Sequence, residues 1–220
     1  MKSHRPAIFF DLDGTLTDPV EGITKSIAHA LGKLGVASPP LEKLHWCIGP
    51  PLHKSFEKML GCEKKAKLAV HHYRERYAAE GMFENKAYEG IMEALSALKN
   101  SGFELFVATS KYNVIAEKVI EHFGFHSFFR KIYGSEHDGT RADKSELISF
   151  ILSQEGLKSS RCFMVGDREH DMIGARNNGL RRVGVAWGYG TRHELESSGA
   201  GVILNCPREL QPYFEDISPE

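Results

Sequence analysis

The sequence lacks the long hydrophobic runs and the charge excess that mark several common protein classes. Its first apolar run, residues 7–10, is too short for the core of a signal peptide and far too short to cross a bilayer. With 28 basic and 29 acidic residues, the formal net charge is −1, so no basic field favours nucleic acid or an anionic membrane. We therefore expect neither a membrane nor a nucleic-acid polymer as a partner.

The sequence also has few cysteines, and they form no recognisable pattern. Cys47, Cys62, Cys162 and Cys206 include no Cys-x-x-Cys pair and have no histidines at zinc-finger spacing. This distribution is typical of reduced thiols, so we expect a cytoplasmic protein.

Motifs of several other enzyme and metal-binding classes are absent. There is no Walker loop, no Gly-x-Ser-x-Gly and no His-Glu-x-x-His. His71 and His72 lie in a helical pattern, where neighbouring side chains point about 100° apart, and we expect them not to share a metal. Gly188 and Gly190 form an isolated pair in a predicted loop and indicate no particular function.

The sequence does contain a repeated alternation of short β-rich runs and amphipathic helical patterns. We predict strands at residues 7–10, 104–108, 131–133, 162–165, 183–186 and 202–204. Strands that alternate with helices form a parallel sheet covered on both faces, so the predicted fold class is α/β.

One connection in this alternation is unusually long. The first two predicted strands start 97 residues apart, at residues 7 and 104, which is about three times what one crossover connection needs. Residues 20–85 show helical patterns only. We predict an α/β core of residues 1–17 and 88–220, and an inserted helical domain of residues 18–87. That domain is expected over the carboxyl edge of the sheet, where open α/β sheets bind their ligands.

Acidic residues cluster directly after two of the predicted strands. Asp11 and Asp13 follow the first strand, and Asp167 and Asp171 follow the fourth. If these strands are neighbours, three or four carboxylates converge at one edge of the sheet. Such a cluster repels itself and requires a hard divalent cation, and ligands that are all oxygen favour magnesium over zinc.

Hydroxyl and basic residues follow the second and third predicted strands. Thr109 and Ser110 come after the second strand and offer hydroxyl and backbone N–H groups to an anion. Lys144 begins a predicted helix, where its charge opposes the positive end of the helix dipole. Each residue alone has an ordinary structural role, but their placement at consecutive strand ends predicts a phosphate site.

These motifs together resemble the haloacid dehalogenase superfamily. The resemblance rests on Asp11-Leu12-Asp13-Gly14-Thr15, the hydroxyl residue Thr109, Lys144, and the Gly-Asp-x-x-x-Asp of residues 166–171. Within this superfamily the chain is similar to the phosphoglycolate phosphatase-like branch, which has a Rossmann-like parallel core and a helical cap. The resemblance implies a hydrolase of small-molecule phosphomonoesters, either phosphoglycolate-like or nucleoside 5'-monophosphates.

The resemblance also implies a catalytic role for each matching residue. Asp11 would attack phosphorus and form an aspartyl-phosphate. Asp13 would protonate the leaving alkoxide and then deprotonate the hydrolytic water. Thr109 and the N–H group of Ser110 would hold the phosphoryl oxygens, and Lys144 would pair with Asp11 and the phosphate.

A magnesium ion is implied by the same resemblance. Its ligands would be the Asp11 carboxylate, the backbone carbonyl of Asp13, and Asp167. Asp171 would lie close behind or join through water, and the sequence leaves these two arrangements open.

Other functional classes use part of the same residue set. Asp13 favours phosphate esters, because dehalogenases and phosphonate hydrolases of this fold lack a carboxylate at that position. A phosphotransferase of the β-phosphoglucomutase type is the main alternative, although Gly166-Asp167 stands where those mutases have an acidic pair. A non-catalytic binding module would lack one of the catalytic groups, and none is missing. The particular substrate, the cap residues that select it and the oligomeric state stay open.

Overall fold

The computed structural model describes residues 6–217 of the chain. The described strands are β1 (Ala7–Phe10), β2 (Thr17–Asp18), β3 (Lys86–Ala87), β4 (Glu104–Tyr112), β5 (Lys131–Ser135), β6 (Cys162–Gly166), β7 (Arg181–Val185) and β8 (Val202–Leu204). The described α-helices are α1 (Val20–Lys33), α2 (Leu52–Leu60), α3 (Glu63–Arg76), α4 (Ile91–Asn100), α5 (Asn113–His122), α6 (Lys144–Glu155), α7 (Glu169–Asn177), α8 (Arg192–Ser197) and α9 (Leu210–Glu215).

Short turns of other helix types complete the described structure. They are 3-10 helices at Leu41–Cys47, His126–Phe128, Ser159–Arg161 and Pro207–Glu209, and a π-helical turn at Tyr77–Gly81. Across residues 6–217, none of the helices combines the length and the apolar character that crossing a bilayer requires.

A six-stranded sheet forms the centre of the larger part of the chain. Its strand order is β5-β4-β1-β6-β7-β8, and every neighbouring pair runs parallel. The predicted α/β class is therefore confirmed. Because β1 lies between β4 and β6, with Phe10 opposite both Val107 and Val165, the segments that follow these three strands meet at one edge.

The core of this sheet explains why its central strand shows no alternation of polar and apolar residues. All four residues of β1 are fully buried, since helices cover both faces of a parallel sheet. On one face, Phe9 packs edge-on against Phe106 with ring centroids 5.5 Å apart, and Leu147 and Ile151 of α6 lie in the same cluster. Each such side chain contributes about 1.5–3 kcal/mol by burial.

Strand β4 differs from the sequence prediction at its carboxyl end. The predicted strand ends at residue 108, whereas the observed strand continues to Tyr112. Between Ala108 and Tyr112, β4 advances four residues while β5 advances only from Tyr133 to Ser135. The additional residues form a bulge, a feature that commonly redirects side chains next to active sites.

Within the described residues the chain forms two compact units, which fall in the ranges Met1–Thr17 with Ala87–Glu220 and Asp18–Lys86. Residues 1–5 and 218–220 of the predicted core range lie outside the described part of the chain. The second unit contains α1, α2 and α3. Its helices approach closely at Gly22, where an added Cβ would lie 1.9 Å from the backbone oxygen of Gly81.

The helical unit also corrects one expectation from the sequence. Ligand atoms of His71, His72 and Glu75 all lie within 4.8 Å of one another. The geometric reason for expecting that the two histidines cannot share a metal therefore does not hold. Their Cβ atoms point in different directions, but both long side chains lean toward Glu75, which lies one turn further along α3.

Candidate active site

Lys144 joins two of the predicted acidic residues in the interior of the sheet unit. Its ammonium nitrogen lies 2.8 Å from Asp11 Oδ1 and 2.7 Å from Asp171 Oδ1. It also donates a hydrogen bond of 2.6 Å to the backbone oxygen of Ala108, at the start of the β4 bulge. All three charged side chains are buried, so these contacts replace water around each charge.

The charge of Lys144 is maintained by these two carboxylates. Burial by itself lowers the pKa of the ammonium, but attraction to Asp11 and Asp171 outweighs burial and raises the pKa above its ordinary value. Lys144 places a positive charge in the first turn of α6, and the negative charge of Asp143 offsets it. Asp143 caps the helix, since its side chain accepts a hydrogen bond of 2.8 Å from the backbone N–H of Ser145.

Asp11, Asp167 and Asp171 form a buried acidic cluster. One carboxylate oxygen from each lies within 4.8 Å of the others. Burial first, and then repulsion from Asp171 and Asp11, raises the pKa of Asp167 well above its ordinary value. Burial raises the pKa of Asp171 to about 6, although Lys144 opposes the increase.

This donor set fits a magnesium ion. If all three carboxylates are ionised beside one ammonium, two negative charges are unbalanced in the protein interior, and one divalent cation would neutralise them and favour the ionised forms. The available ligand atoms are oxygens, which magnesium prefers.

Backbone groups and glycines surround Asp167 closely. Its Oδ2 accepts a hydrogen bond of 2.8 Å from the N–H of Tyr189, and its Oδ1 accepts one of 3.4 Å from the Thr15 hydroxyl. An added Cβ would lie 2.3 Å from Asp167 Oδ2 at Gly14, and 2.4 Å from Asp167 Cβ at Gly188. Only glycine permits this approach at either position.

The loop at residues 187–190 was missed by the sequence analysis as part of the site. The Trp187 indole N–H donates a hydrogen bond of 3.0 Å to the Thr15 backbone oxygen, and an added Cβ at Gly190 would lie 1.8 Å from the Asp167 backbone oxygen. One signal was available, because the Gly-x-Gly follows a predicted strand of the same parallel sheet. That position places it at the same edge as the acidic residues.

Asp13 is paired with a second lysine, Lys111, to which the sequence analysis assigned no role. Lys111 Nζ forms an ion pair with Asp13 Oδ2, and both side chains are largely buried. Burial raises the pKa of Asp13 above its ordinary value, while Lys111 acts in the opposite direction. Within residues 6–217, Asp13 Oδ1 is buried without a hydrogen-bond donor.

Thr109 and Ser110 lie in the β4 bulge, directly after the residue whose carbonyl contacts Lys144. Thr109 is buried, and its hydroxyl oxygen accepts a hydrogen bond of 3.2 Å from the backbone N–H of Lys111. The Ser110 hydroxyl donates to the Ala142 carbonyl at 2.8 Å. The structure thus brings Asp11, Asp167, Asp171 and Lys144 into one cluster and places Asp13 against Lys111.

A parallel sheet with a buried carboxylate–lysine cluster at the ends of its central strands defines the class of this protein. The family profile described as "Haloacid dehalogenase-like hydrolase" matches residues 8–185. The chain belongs to this family, and the resemblance seen in the sequence is confirmed. It is an enzyme of the phosphatase type within the family.

Proteins similar to this chain have names that state different activities, some more specific than others. A 5'-nucleotidase from Pseudomonas aeruginosa is 50% identical over 193 residues, which cover 87% of this chain and 87% of that protein. The tyrosine-protein kinase PtkA of Mycobacterium tuberculosis is 37% identical over 199 residues, which cover 90% of this chain and 68% of the relative. The crystal structure of a predicted phosphatase from Clostridium acetobutylicum has 41% identity and a TM-score of 0.93, and the match covers 97% of this chain and 100% of that one.

Proposed function

We propose that this protein is a magnesium-dependent phosphatase that hydrolyses nucleoside 5'-monophosphates through an aspartyl-phosphate on Asp11. The observation that carries the proposal is the buried contact of Lys144 with both Asp11 and Asp171. This contact keeps a cation beside the proposed nucleophile, so that an anionic phosphate can approach an anionic carboxylate. The nucleotide substrate class rests on the 50% identity to a protein named 5'-nucleotidase.

The proposed magnesium ligands are the Asp11 carboxylate, the backbone carbonyl of Asp13, and Asp167. Magnesium at this site would supply positive charge that stabilises the phosphoryl oxygens and the ionised form of Asp11. Tyr189 and Thr15 orient the Asp167 carboxylate by the hydrogen bonds described above. Asp171, which contacts Lys144, is proposed to act on the ion through water.

The proposed reaction has two chemical steps on this chain's own residues. In the first, Asp11 attacks phosphorus, the bond from phosphorus to the ester oxygen breaks, and Asp13 donates its proton to that oxygen. In the second, water attacks the phosphorus of the phosphoryl-aspartate, Asp13 accepts a proton from the water, and the bond from phosphorus to the Asp11 oxygen breaks, which releases inorganic phosphate and restores the Asp11 carboxylate. The raised pKa of Asp13 supports its proposed role as the general acid.

The phosphoryl oxygens are proposed to bind to Thr109, the N–H of Ser110, and Lys144. Support comes from the β4 bulge, which sets Thr109 and Ser110 next to the carbonyl that Lys144 contacts. Phosphoryl transfer depends mainly on positioning and charge, and these groups provide both. We also propose that the inserted unit, residues 18–86, is a cap domain that selects the leaving group.

A panel of phosphomonoesters tests the function directly. With magnesium present, nucleoside 5'-monophosphates should give the highest kcat/KM, with one inorganic phosphate released per ester consumed. A chelator should abolish turnover, and added magnesium should restore it. Asp11→Asn should remove turnover while leaving the circular dichroism spectrum unchanged, and the exposed Asp138→Asn variant serves as the matched control.

Three results would contradict the proposal: two would identify a different function, and one would exclude the proposed nucleophile. Isomerisation of a sugar phosphate with little phosphate released would identify a mutase. Transfer of phosphate from a nucleoside triphosphate to protein tyrosine, with no phosphatase activity, would identify a kinase. Full phosphatase activity in pure Asp11→Asn protein would exclude the proposed nucleophile.

A further inference from the structure

A second cluster of metal-binding side chains lies in the helical unit, on the surface of α3. It consists of His71, His72 and Glu75, which we call the α3 triad. We propose that the α3 triad binds a divalent transition-metal ion of the zinc type. This site is separate from the acidic cluster in the sheet unit, and it does not depend on the phosphatase function.

The distances within the α3 triad fit coordination of a single ion. His71 Nε2 lies 3.3 Å from Glu75 Oε1, and His72 Nδ1 lies 3.0 Å from Glu75 Oε2. Zinc bonds to imidazole nitrogen and carboxylate oxygen are about 2.0–2.2 Å long, so adjacent ligand atoms in a tetrahedral site lie about 3.3 Å apart. The remaining pair of ligand nitrogens, one from His71 and one from His72, also lies within 4.8 Å. Small side-chain rotations can close that distance.

The arrangement presents each carboxylate oxygen to a different imidazole. Glu75 follows His72 by three residues and His71 by four, the two helical spacings at which side chains become neighbours. The two rings lie with their centroids 5.4 Å apart and are tilted by 58°, so their nitrogen atoms converge on Glu75 without stacking face to face.

The chemistry of the α3 triad distinguishes it from the proposed magnesium site. Imidazole nitrogen is a ligand for zinc, copper and nickel, whereas magnesium prefers oxygen and retains its water. Two imidazoles and one carboxylate supply three protein ligands and leave a further position for water, which is a known zinc arrangement. Magnesium is therefore expected to occupy the acidic cluster and to leave the α3 triad to a transition metal.

Neighbouring charge sets the strength of this site. The side chains of His71 and Glu75 are 66% and 55% exposed, so an ion can reach them from solvent. Lys33, in the last turn of α1, is close enough to Glu75 to stabilise its negative charge. The same lysine repels a bound cation, so we expect modest affinity that increases when Lys33 is neutralised.

Zinc titration calorimetry of the full-length untagged protein, with magnesium in large excess, tests the proposal. One equivalent of zinc should bind, and each of His71→Ala, His72→Ala and Glu75→Gln should weaken that binding by at least about tenfold. His193→Gln, which alters an exposed histidine on α8, should leave it unchanged and serves as the matched control. Lys33→Gln should tighten it, a change that no loss of folding would produce.

The titration is repeated in an Asp167→Asn background, which disrupts the acidic cluster. Retention of the zinc equivalent there supports the α3 triad even if the proposed phosphatase function fails. Absence of a zinc equivalent in the unmodified protein would overturn the proposal. So would full affinity in both His71→Ala and His72→Ala, or loss of the equivalent in the Asp167→Asn protein.

Discussion

Lys144 Nζ lies 2.7 Å from Asp171 Oδ1, and both side chains are almost completely buried. Asp171 Oδ2 also accepts a hydrogen bond of 3.2 Å from the backbone N–H of Arg168, at the start of α7. The carboxylate is therefore held between a helix N-terminus and the lysine that contacts Asp11. This relationship makes Asp171 a partner of Lys144.

We expect Lys144→Met to destabilise the protein strongly. The variant leaves Asp11 and Asp171 buried without their cation, and breaking a buried ion pair in this way costs about 3–5 kcal/mol. Urea unfolding without magnesium measures the loss. Lys158→Met, which alters an exposed lysine, should change stability by no more than about 0.5 kcal/mol. Equal stability of the two variants would contradict the importance of the buried pair.

Asp13→Asn should separate the two proposed chemical steps. Hydrolysis of an alkyl phosphate should slow by about 10²–10⁴-fold, the usual range for lost general acid catalysis. An aryl phosphate with an acidic phenol should lose much less in the first step, because its anion leaves without a proton. The second step still needs water to be deprotonated, so phosphoenzyme should accumulate.

Rapid mixing of Asp13→Asn with an activated aryl phosphate checks this prediction. A burst of phenolate close to one equivalent per enzyme, followed by slow turnover, is the expected result. The unmodified protein is the control and should show steady release. Equal losses for alkyl and aryl substrates, with no burst, would count against an acid–base role for Asp13.

Gly188→Ala should damage the acidic cluster, although it adds only one methyl group. The new Cβ would lie 2.3 Å from the Gly14 backbone oxygen and 2.4 Å from Asp167 Cβ. Neither neighbour is the flexible end of a side chain, so the backbone must shift, at a cost of about 1–3 kcal/mol. Magnesium affinity and kcat should both fall, which metal titration and steady-state kinetics measure.

Gly32→Ala is the matched control for that experiment. Gly32 lies in α1, and among residues 6–217 an added Cβ there would have no heavy atom within 4 Å outside its chain neighbours and the adjacent helix backbone. Alanine should therefore stabilise the helix by about 0.5–1 kcal/mol and leave magnesium affinity unchanged. A similar loss of magnesium affinity in both variants would show that packing at Gly188 is not the cause.

Glu84→Gln should destabilise the helical unit in a pH-dependent way. Glu84 accepts hydrogen bonds from Arg76 at 2.9 and 3.1 Å and from Lys25 at 3.0 Å. The bonds from Arg76, and to a lesser extent Lys25, lower the pKa of Glu84 below its ordinary value of 4.5. At pH 7 the variant should lose about 1.5–3 kcal/mol, the usual range for hydrogen bonds to a charged group.

The direction of the pH effect follows from the lowered pKa. The contribution of Glu84 is fully present above the pKa of the unfolded state and is lost as the pH falls through the pKa of the folded state. Thermal unfolding of both proteins between pH 7 and pH 3 should therefore show the difference shrinking. Glu42→Gln, at an exposed position, is the control. A difference that stays constant down to pH 3 would contradict this account.

The bounds of a strand are predicted well when the residues of that strand carry the signal themselves. The bounds of β1 and β8 match the prediction, because each is a short apolar run. Strand β7 begins at Arg181, two residues earlier than predicted, since the two charged arginines do not extend the apolar run from which the strand was predicted. Arg181 nevertheless pairs in register with Phe163 of β6, so pairing with the neighbouring strand overrides the local preference.

The sequence by itself determined the fold class and the positions of the acidic and basic residues at the ends of strands. Both follow from local patterns, namely the spacing of apolar runs and the charged residues directly after them. Only the tertiary structure decided which of these residues contact each other. Lys144 contacts Asp171, Lys111 contacts Asp13, and Tyr189 donates to Asp167, and each pair is far apart in the sequence. Such pairs depend on the strand order β5-β4-β1-β6-β7-β8 and on helix packing, which arise from the collapse of the whole core and not from any single segment.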